Sequence, residues 1–223
     1  MLPGAIPYMI EIHAQRRHLG RMARISNQRA VIDRKAVADQ LYRLADDEGI
    51  SAKTQGKVLA IFKAALTRGR EEIRRRFEDE QGLGSDCVRS QAFLTDQLVR
   101  LIHDFAAEYV YPLSNPTTAE QLSIAAVGGF GRNEMAPFSD IDLLFLLPYK
   151  QTPRGEQLVE YMLYMLWDMG LKVGHATRSI NDCVRLARAD LTICTSMIEA
   201  RWIWGDKALY AKFRARFQKE VVA

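Results

Sequence analysis

The sequence predicts an α+β fold, with an all-helical first half followed by a mixed second half built on a small sheet with flanking helices. Three observations carry this. From residue 34 to about residue 109 apolar side chains recur at helical spacing. A proline-punctuated linker, Tyr111–Thr118 (YPLSNPTT), then changes the character of the chain. Beyond it, short apolar runs of strand length alternate with helical patterns. The expected organisation is an N-terminal arm over residues 1–33, a helical segment over 34–115 and a mixed domain over 116–223.

Each element has a local reason. Val37, Leu41 and Leu44 make the stripe of a helix from Arg34 to Asp47, which Gly49 stops. Ser51 is placed to cap the next helix, whose face carries Val58, Ile61, Phe62, Ala65 and Leu66 and whose end is crowded with charge. Gly82, Gly84 and Ser85 break the chain before a third helix, about Asp86 to Tyr109, striped by Phe93, Leu94, Leu98, Leu101, Ile102 and Phe105. Amphipathic helices joined by short connections predict an antiparallel helical layer. After the linker, Leu122–Val127 reads as a buried strand and Asp140–Leu147 (DIDLLFLL) as a second, ending at Pro148. Thr152 and Pro153 form an N-cap and first-position pair for a helix through Leu158, Met162, Met165 and Leu166. Gly170 precedes a third strand, Leu171–Arg178. Helical patterns return over Val184–Ala187, Leu191–Trp204 and Asp206–Val221, and the last of these leaves its apolar face with no evident partner.

Composition excludes several functions. The 223 residues are 48% hydrophobic and 26% charged, a globular balance. Lys+Arg 31 against Asp+Glu 27 gives a formal charge of +4, but the longest basic run is Arg74–Arg76. Glu71, Glu72, Glu78, Asp79 and Glu80 flank that run, which marks a solvated helix face rather than a nucleic-acid surface. No apolar stretch approaches the roughly 18 residues needed to span a bilayer, and Met1–Ile12 lacks the features of a secretory signal. A cytoplasmic protein with no membrane and no nucleic-acid partner is expected. Cys87, Cys183 and Cys194 are odd in number and far apart, as buried thiols of a reducing compartment would be. His103–Asp104 lacks the companion His and Asp of a metal phosphohydrolase and sits in a helical pattern.

Chemistry concentrates in Gly128–Gly129–Phe130–Gly131–Arg132–Asn133–Glu134, followed by Ser139–Asp140–Ile141–Asp142. Glu134 stands where a dinucleotide fingerprint needs its third glycine, and there is no Gly-Lys-Ser/Thr of a P-loop. Residues i and i+2 of a strand share a face about 6.6 Å apart. Asp140 and Asp142 therefore project together while Ile141 and Leu143 enter the core. Two such carboxylates suit a pair of hard cations serving in-line phosphoryl or nucleotidyl transfer, and oxygen donors in an open site favour Mg2+. Gly128, Gly129 and Gly131 let backbone N–H groups approach a triphosphate at the start of a short helix. Arg132 is placed to pair with phosphate or to brace the site through a carboxylate such as Glu134. Ser139 is placed to donate to phosphate or to Asp140, or simply to cap.

These residues resemble the nucleotidyltransferase fold shared with DNA polymerase β. The run AVGGFGRNEMAPFSDIDLLFLLPYK (Ala126–Lys150) is similar, more narrowly, to the N-terminal domain of the bacterial PII uridylyltransferase/uridylyl-removing family. GLKVGHATRS (Gly170–Ser179) and DLTICTSMIEARWIWGD (Asp190–Asp206) fit the same family. The resemblance implies a Mg-dependent transfer of UMP from UTP to a tyrosine of the PII nitrogen-signalling protein, releasing pyrophosphate. By the same analogy Asp140 and Asp142 hold the metal, Gly128 and Gly129 contact phosphates, and Arg132 and Ser139 are secondary. The chain departs from the family at Asn133 and Met135, and its third strand offers His175 and Arg178 where the fold commonly places a third carboxylate. Asp190 and Glu199 are the alternatives for that carboxylate, and His175 is expected to be structural or to touch substrate. Family members continue into hydrolase and glutamine-sensing domains, so this chain is expected to be a fragment without uridylyl removal or glutamine control. Two other readings stay open: a nucleotidyltransferase with a different acceptor, and an inactive fragment that only binds nucleotide or partner.

Overall fold

The structure, a computed structural model, describes residues 25–79, 82–115, 117–149 and 151–222. Most of the expected N-terminal arm, and Glu80 beside the basic run, lie outside the described residues. A short α1 (Gln28–Val31) leads into α2 (Arg34–Glu48), α3 (Ala52–Glu78) and α4 (Gly84–Phe105), which continues as a wider turn over Ala106–Val110. The expected stop and cap operate: Gly49 ends α2 with φ 68°, and Ser51 accepts from the Thr54 N–H. Asp33, which the sequence reading did not single out, caps α2 by accepting from the Ala36 N–H. Val37, Leu41, Val58, Phe62, Leu98 and Ile102 close the layer's interior. The basic run of α3 is spent on its own surroundings. Arg74 pairs with Glu78, Arg75 and Arg76 with Glu72, and Arg76 also donates to the Ser26 and Asn27 carbonyls. The Arg75 and Arg76 guanidinium groups hold the Glu72 carboxyl down to about 2.

The sheet has four strands: β1 (Ser123–Ala126), β2 (Ile141–Leu147), β3 (Val173–Ser179) and β4 (Arg201–Gly205). Their order is β3-β2-β1-β4, with β2 and β3 parallel and the other pairs antiparallel. The one-turn α5 (Gly128–Gly131) joins β1 to β2, and the parallel crossover from β2 to β3 runs through α6 (Pro153–Asp168), capped by Thr152. Both faces of the sheet are covered. Ile124, Ala126, Ile141, Leu143, Phe145, Leu147 and Ile203 share one core with the helical layer and α6. Ala125, Leu144 and Leu146 pack on the other side against α7 (Ile180–Ala189), α8 (Leu191–Ile198) and α9 (Lys207–Phe217). Five of the seven β2 residues sit in one unbroken apolar run because neither side of that strand meets water.

Three expectations need correction. Leu191–Trp204 is not one helix: α8 ends at Ile198, and Arg201–Gly205 is the edge strand β4. Trp202, Ile203 and Trp204 suit a strand, and over so short a run periods of 2 and 3.6 cannot be told apart. Hydrogen bonding with β1 decides between them, since β1 would otherwise be an open edge. Asp140 lies just before β2 rather than in it. The apolar face of the last helix is not left bare, because Leu209, Phe213 and Phe217 are buried against the sheet.

Candidate active site

The glycine turn and the paired aspartates meet where the end of β1 lies beside the starts of β2 and β3. The Val127 N–H donates to the Asp142 carbonyl, which ties the entry of the turn to β2. Gly128 then takes φ 58°, a left-handed conformation that glycine adopts without a Cβ penalty. A single helical turn follows, closed by Gly131 N–H to Val127 O and Arg132 N–H to Gly128 O. The N–H groups of Gly128 and Gly129 belong to a first turn, which has no intrahelical acceptor for them. Asn133 returns the chain at φ 65°, and Met135 donates to the Val88 carbonyl of α4.

Asp142 is half-buried on β2, and strand alternation puts it on the face of Leu144 and Leu146. Its carboxylate is wedged between two glycines. A methyl group on Gly128 would stand 3.3 Å from Oδ2, and one on Gly174 only 2.5 Å from Oδ1. Gly174 is the direct partner of Asp142 in the parallel β2–β3 ladder. Burial first, and the neighbouring charge of Asp140 second, push the Asp142 carboxyl above the usual carboxylate range. The two aspartates thus form one electrostatic unit, with Asp140 exposed at the mouth and Asp142 set into the sheet. Ser139 is exposed in the approach loop, and its N–H closes a turn on Ala136 O.

Arg132 turns toward carboxylates, 2.6 Å from Glu199 and 3.5 Å from Glu134. Glu199 also presents its carbonyl to Gly131, where a Cβ would collide with it. Asp190 caps α8 through the Thr192 and Ile193 N–H groups. His175 alternates to the opposite face of β3 from Gly174 and rests edge-on to Trp167 with ring centroids 6.1 Å apart. The His103–Asp104 pair is part of a framework: Arg34 and Trp204 both bond to Asp104. Sequence reasoning missed Gly174 as a site residue. A glycine inside a strand pattern was its available signal, since it marks a close approach.

No group of three His, Cys, Asp or Glu side chains able to hold a metal occurs among the described residues. Asp140 and Asp142 nonetheless fit Mg2+, which is commonly held by one or two carboxylates together with substrate phosphates and water. The strained charge on Asp142 points the same way, because a cation would relieve it.

Carboxylates beside a glycine turn on a small mixed sheet make an arrangement suited to phosphate transfer. Residues 116–202 match the nucleotidyltransferase domain family, so the chain carries a nucleotidyltransferase domain. Its sheet and flanking helices fit the polymerase β-like fold. The chain is similar to bifunctional uridylyltransferase/uridylyl-removing enzymes of three bacteria. Identity is 54% over 199 residues in Rhodospirillum rubrum, 51% over 201 in Azospirillum brasilense and 47% over 201 in Novosphingobium aromaticivorans. These matches cover 89%, 90% and 90% of this chain but 21%, 21% and 22% of the relatives, so it spans about a fifth of their length. Among the described residues no helix is long and apolar enough to cross a membrane.

Proposed function

We propose that this chain is the transferase portion of a uridylyltransferase, moving UMP from UTP to a tyrosine of the PII signalling protein. The observation that carries the reading is the wedge of Asp142 between Gly128 and Gly174, with Asp140 beside it. The tyrosyl oxygen forms a bond to the α-phosphorus, the bond to the β-phosphate bridge breaks, and pyrophosphate leaves while the phenolic proton is released. Gly128 and Gly129 direct backbone N–H groups at the phosphates. Asp140 and Asp142 would hold Mg2+, which would supply charge neutralisation at the transferring phosphate. Arg132, held by Glu199, and Ser139 complete the rim. Similarity at about half identity over nine tenths of the chain supports uridylyl transfer over another nucleotidyl chemistry. The catalytic unit in this proposal is residues 116–223, with 34–115 as the helical layer behind it.

Intact mass spectrometry of PII protein incubated with the chain, UTP and Mg2+ tests this. A single UMP-sized gain is expected, and it disappears when Asp140 and Asp142 are both changed to Asn. No gain with the unaltered chain, or a gain that survives the double change, overturns the proposal.

A further inference from the structure

Arg201 opens β4 and reaches two elements at once. Its guanidinium grips Asp96 of α4 with both terminal nitrogens, at 2.6 and 3.0 Å, and donates to the Phe130 carbonyl in the glycine turn at 3.2 Å. The same group lies over the Phe130 ring, 5.4 Å from its centre. Asp96 is buried at 6% exposure, and the Arg201 Nε is buried without an acceptor among the described residues. An ion pair in this position is a poor device for stability alone, since well-packed apolar side chains commonly do as well. An apolar pair would lack a donor fixed in direction, and that donor is what meets the turn.

The surrounding contacts make a set. Arg201 holds residue 130, the Glu199 carbonyl backs Gly131, and the Glu199 carboxylate takes Arg132. Three consecutive residues of the turn are therefore gripped from the 199–201 segment, immediately after the two glycines offered to phosphate. Among the described residues, Asp96 ties that grip to the helical layer by a charged bond.

We propose that Arg201, oriented by Asp96, is a positioning residue that sets the glycine turn for nucleotide, so that the helical layer controls nucleotide affinity. The affinity half of this inference rests on the nucleotide-binding reading of the site. Lysine keeps the charge at 201 but lacks the planar fork that serves a carboxylate and a carbonyl together. Asp96→Asn keeps the shape and removes the charge that orients the fork.

The test uses 15N-glycine-labelled chain, titrated with UTP and Mg2+. In Arg201→Lys and in Asp96→Asn the amide signals of Gly128, Gly129 and Gly131 are expected to shift, and UTP affinity to fall about 10-fold or more, the scale of changes just outside a metal site. The double variant is expected to be no weaker than the weaker single one, because the two residues act as a unit. Leu41→Ala, in the core of the helical layer, is the control for general destabilisation and is expected to leave the three turn signals in place. Unmoved turn signals in both site variants, or equal movement in the control, overturn the inference. If the unaltered chain binds no UTP, the nucleotide reading fails, while the glycine signals still decide whether Arg201 positions the turn.

Discussion

Gly174→Ala separates the site from the fold. The added methyl would lie 2.5 Å from Asp142 Oδ1, and ordinary contact begins near 3.4 Å, so about 0.9 Å must be found. The backbone at Gly174 is extended within β3, where alanine is at least as well tolerated as glycine and gains about 0.5 kcal/mol. What gives way is the end of a flexible side chain, and the energetic cost of that is small. The expected functional cost is large, because in the proposed reaction the displaced group is the carboxylate that would align metal and phosphate. A misplacement near 1 Å costs about 100-fold in rate. The expected result is a folded protein with an unchanged or slightly higher melting temperature and a transfer rate lower by about 10- to 100-fold. Rate is read by UMP transfer to PII protein at saturating UTP, stability by thermal melting. A Gly174→Ala chain with the unaltered rate would refute the wedge argument, and so would one that loses rate only by unfolding.

Asp142→Asn should abolish transfer by more than about 100-fold, beyond the range of changes outside the metal's own ligands. The same substitution should stabilise the metal-free chain at neutral pH. The folded Asp142 carboxyl is raised by burial and by Asp140, so its contribution to stability is complete at low pH and lost as pH rises through the folded titration. The melting-temperature gap between variant and parent should therefore widen from acid to neutral pH and close when Mg2+ and UTP are added. Gly131→Ala drives a Cβ into the Glu199 carbonyl and to 3.1 Å from the Ala126 carbonyl, both backbone, and should cost about 2 kcal/mol in urea unfolding. Asp96→Ala leaves the partly buried Arg201 charge unpaired and should cost about 3 kcal/mol, whereas Arg74→Ala on the exposed face of α3 should leave the urea midpoint essentially unchanged.

The fold was legible where a local signal and a tertiary need coincide. Ser51 caps a helix whose stripe buries Phe62, Gly49 stops the one that buries Leu41, and Thr152 with Pro153 opens the crossover helix, so this punctuation marks true ends. Legibility failed at Arg201–Gly205, where the decisive fact is non-local. β1 is only four residues long and needs a partner on its free edge, and nothing within the segment 191–204 reports that. The bare face expected on the last helix fails for the same reason. Leu144 and Leu146 create the surface that covers Phe213 and Phe217, and a strand buried on both faces hides this second side inside a continuous apolar run.

The site divides along the same line. Gly128, Asp140 and Asp142 stand close in sequence, and their spacing makes the candidate site legible there. Gly174, Glu199, Arg201 and Asp96 act on them from segments 32 to 59 residues after Asp142 or 32 residues before Gly128, through a ladder pair, a carbonyl, a fork and a buried charge. A motif of this kind specifies which atoms do the work but leaves open how tightly they are held. Here the holding comes from glycine on one side, where any larger residue would push Asp142 away, and from an arginine on the other, where any shorter or unforked residue would let the turn drift. Space and direction are separate requirements, so Gly174→Ala should lower the rate with nucleotide affinity largely kept, and Arg201→Lys should lower affinity first. If both substitutions altered rate and affinity in the same proportion, the division between a space-making glycine and a direction-setting arginine would be wrong.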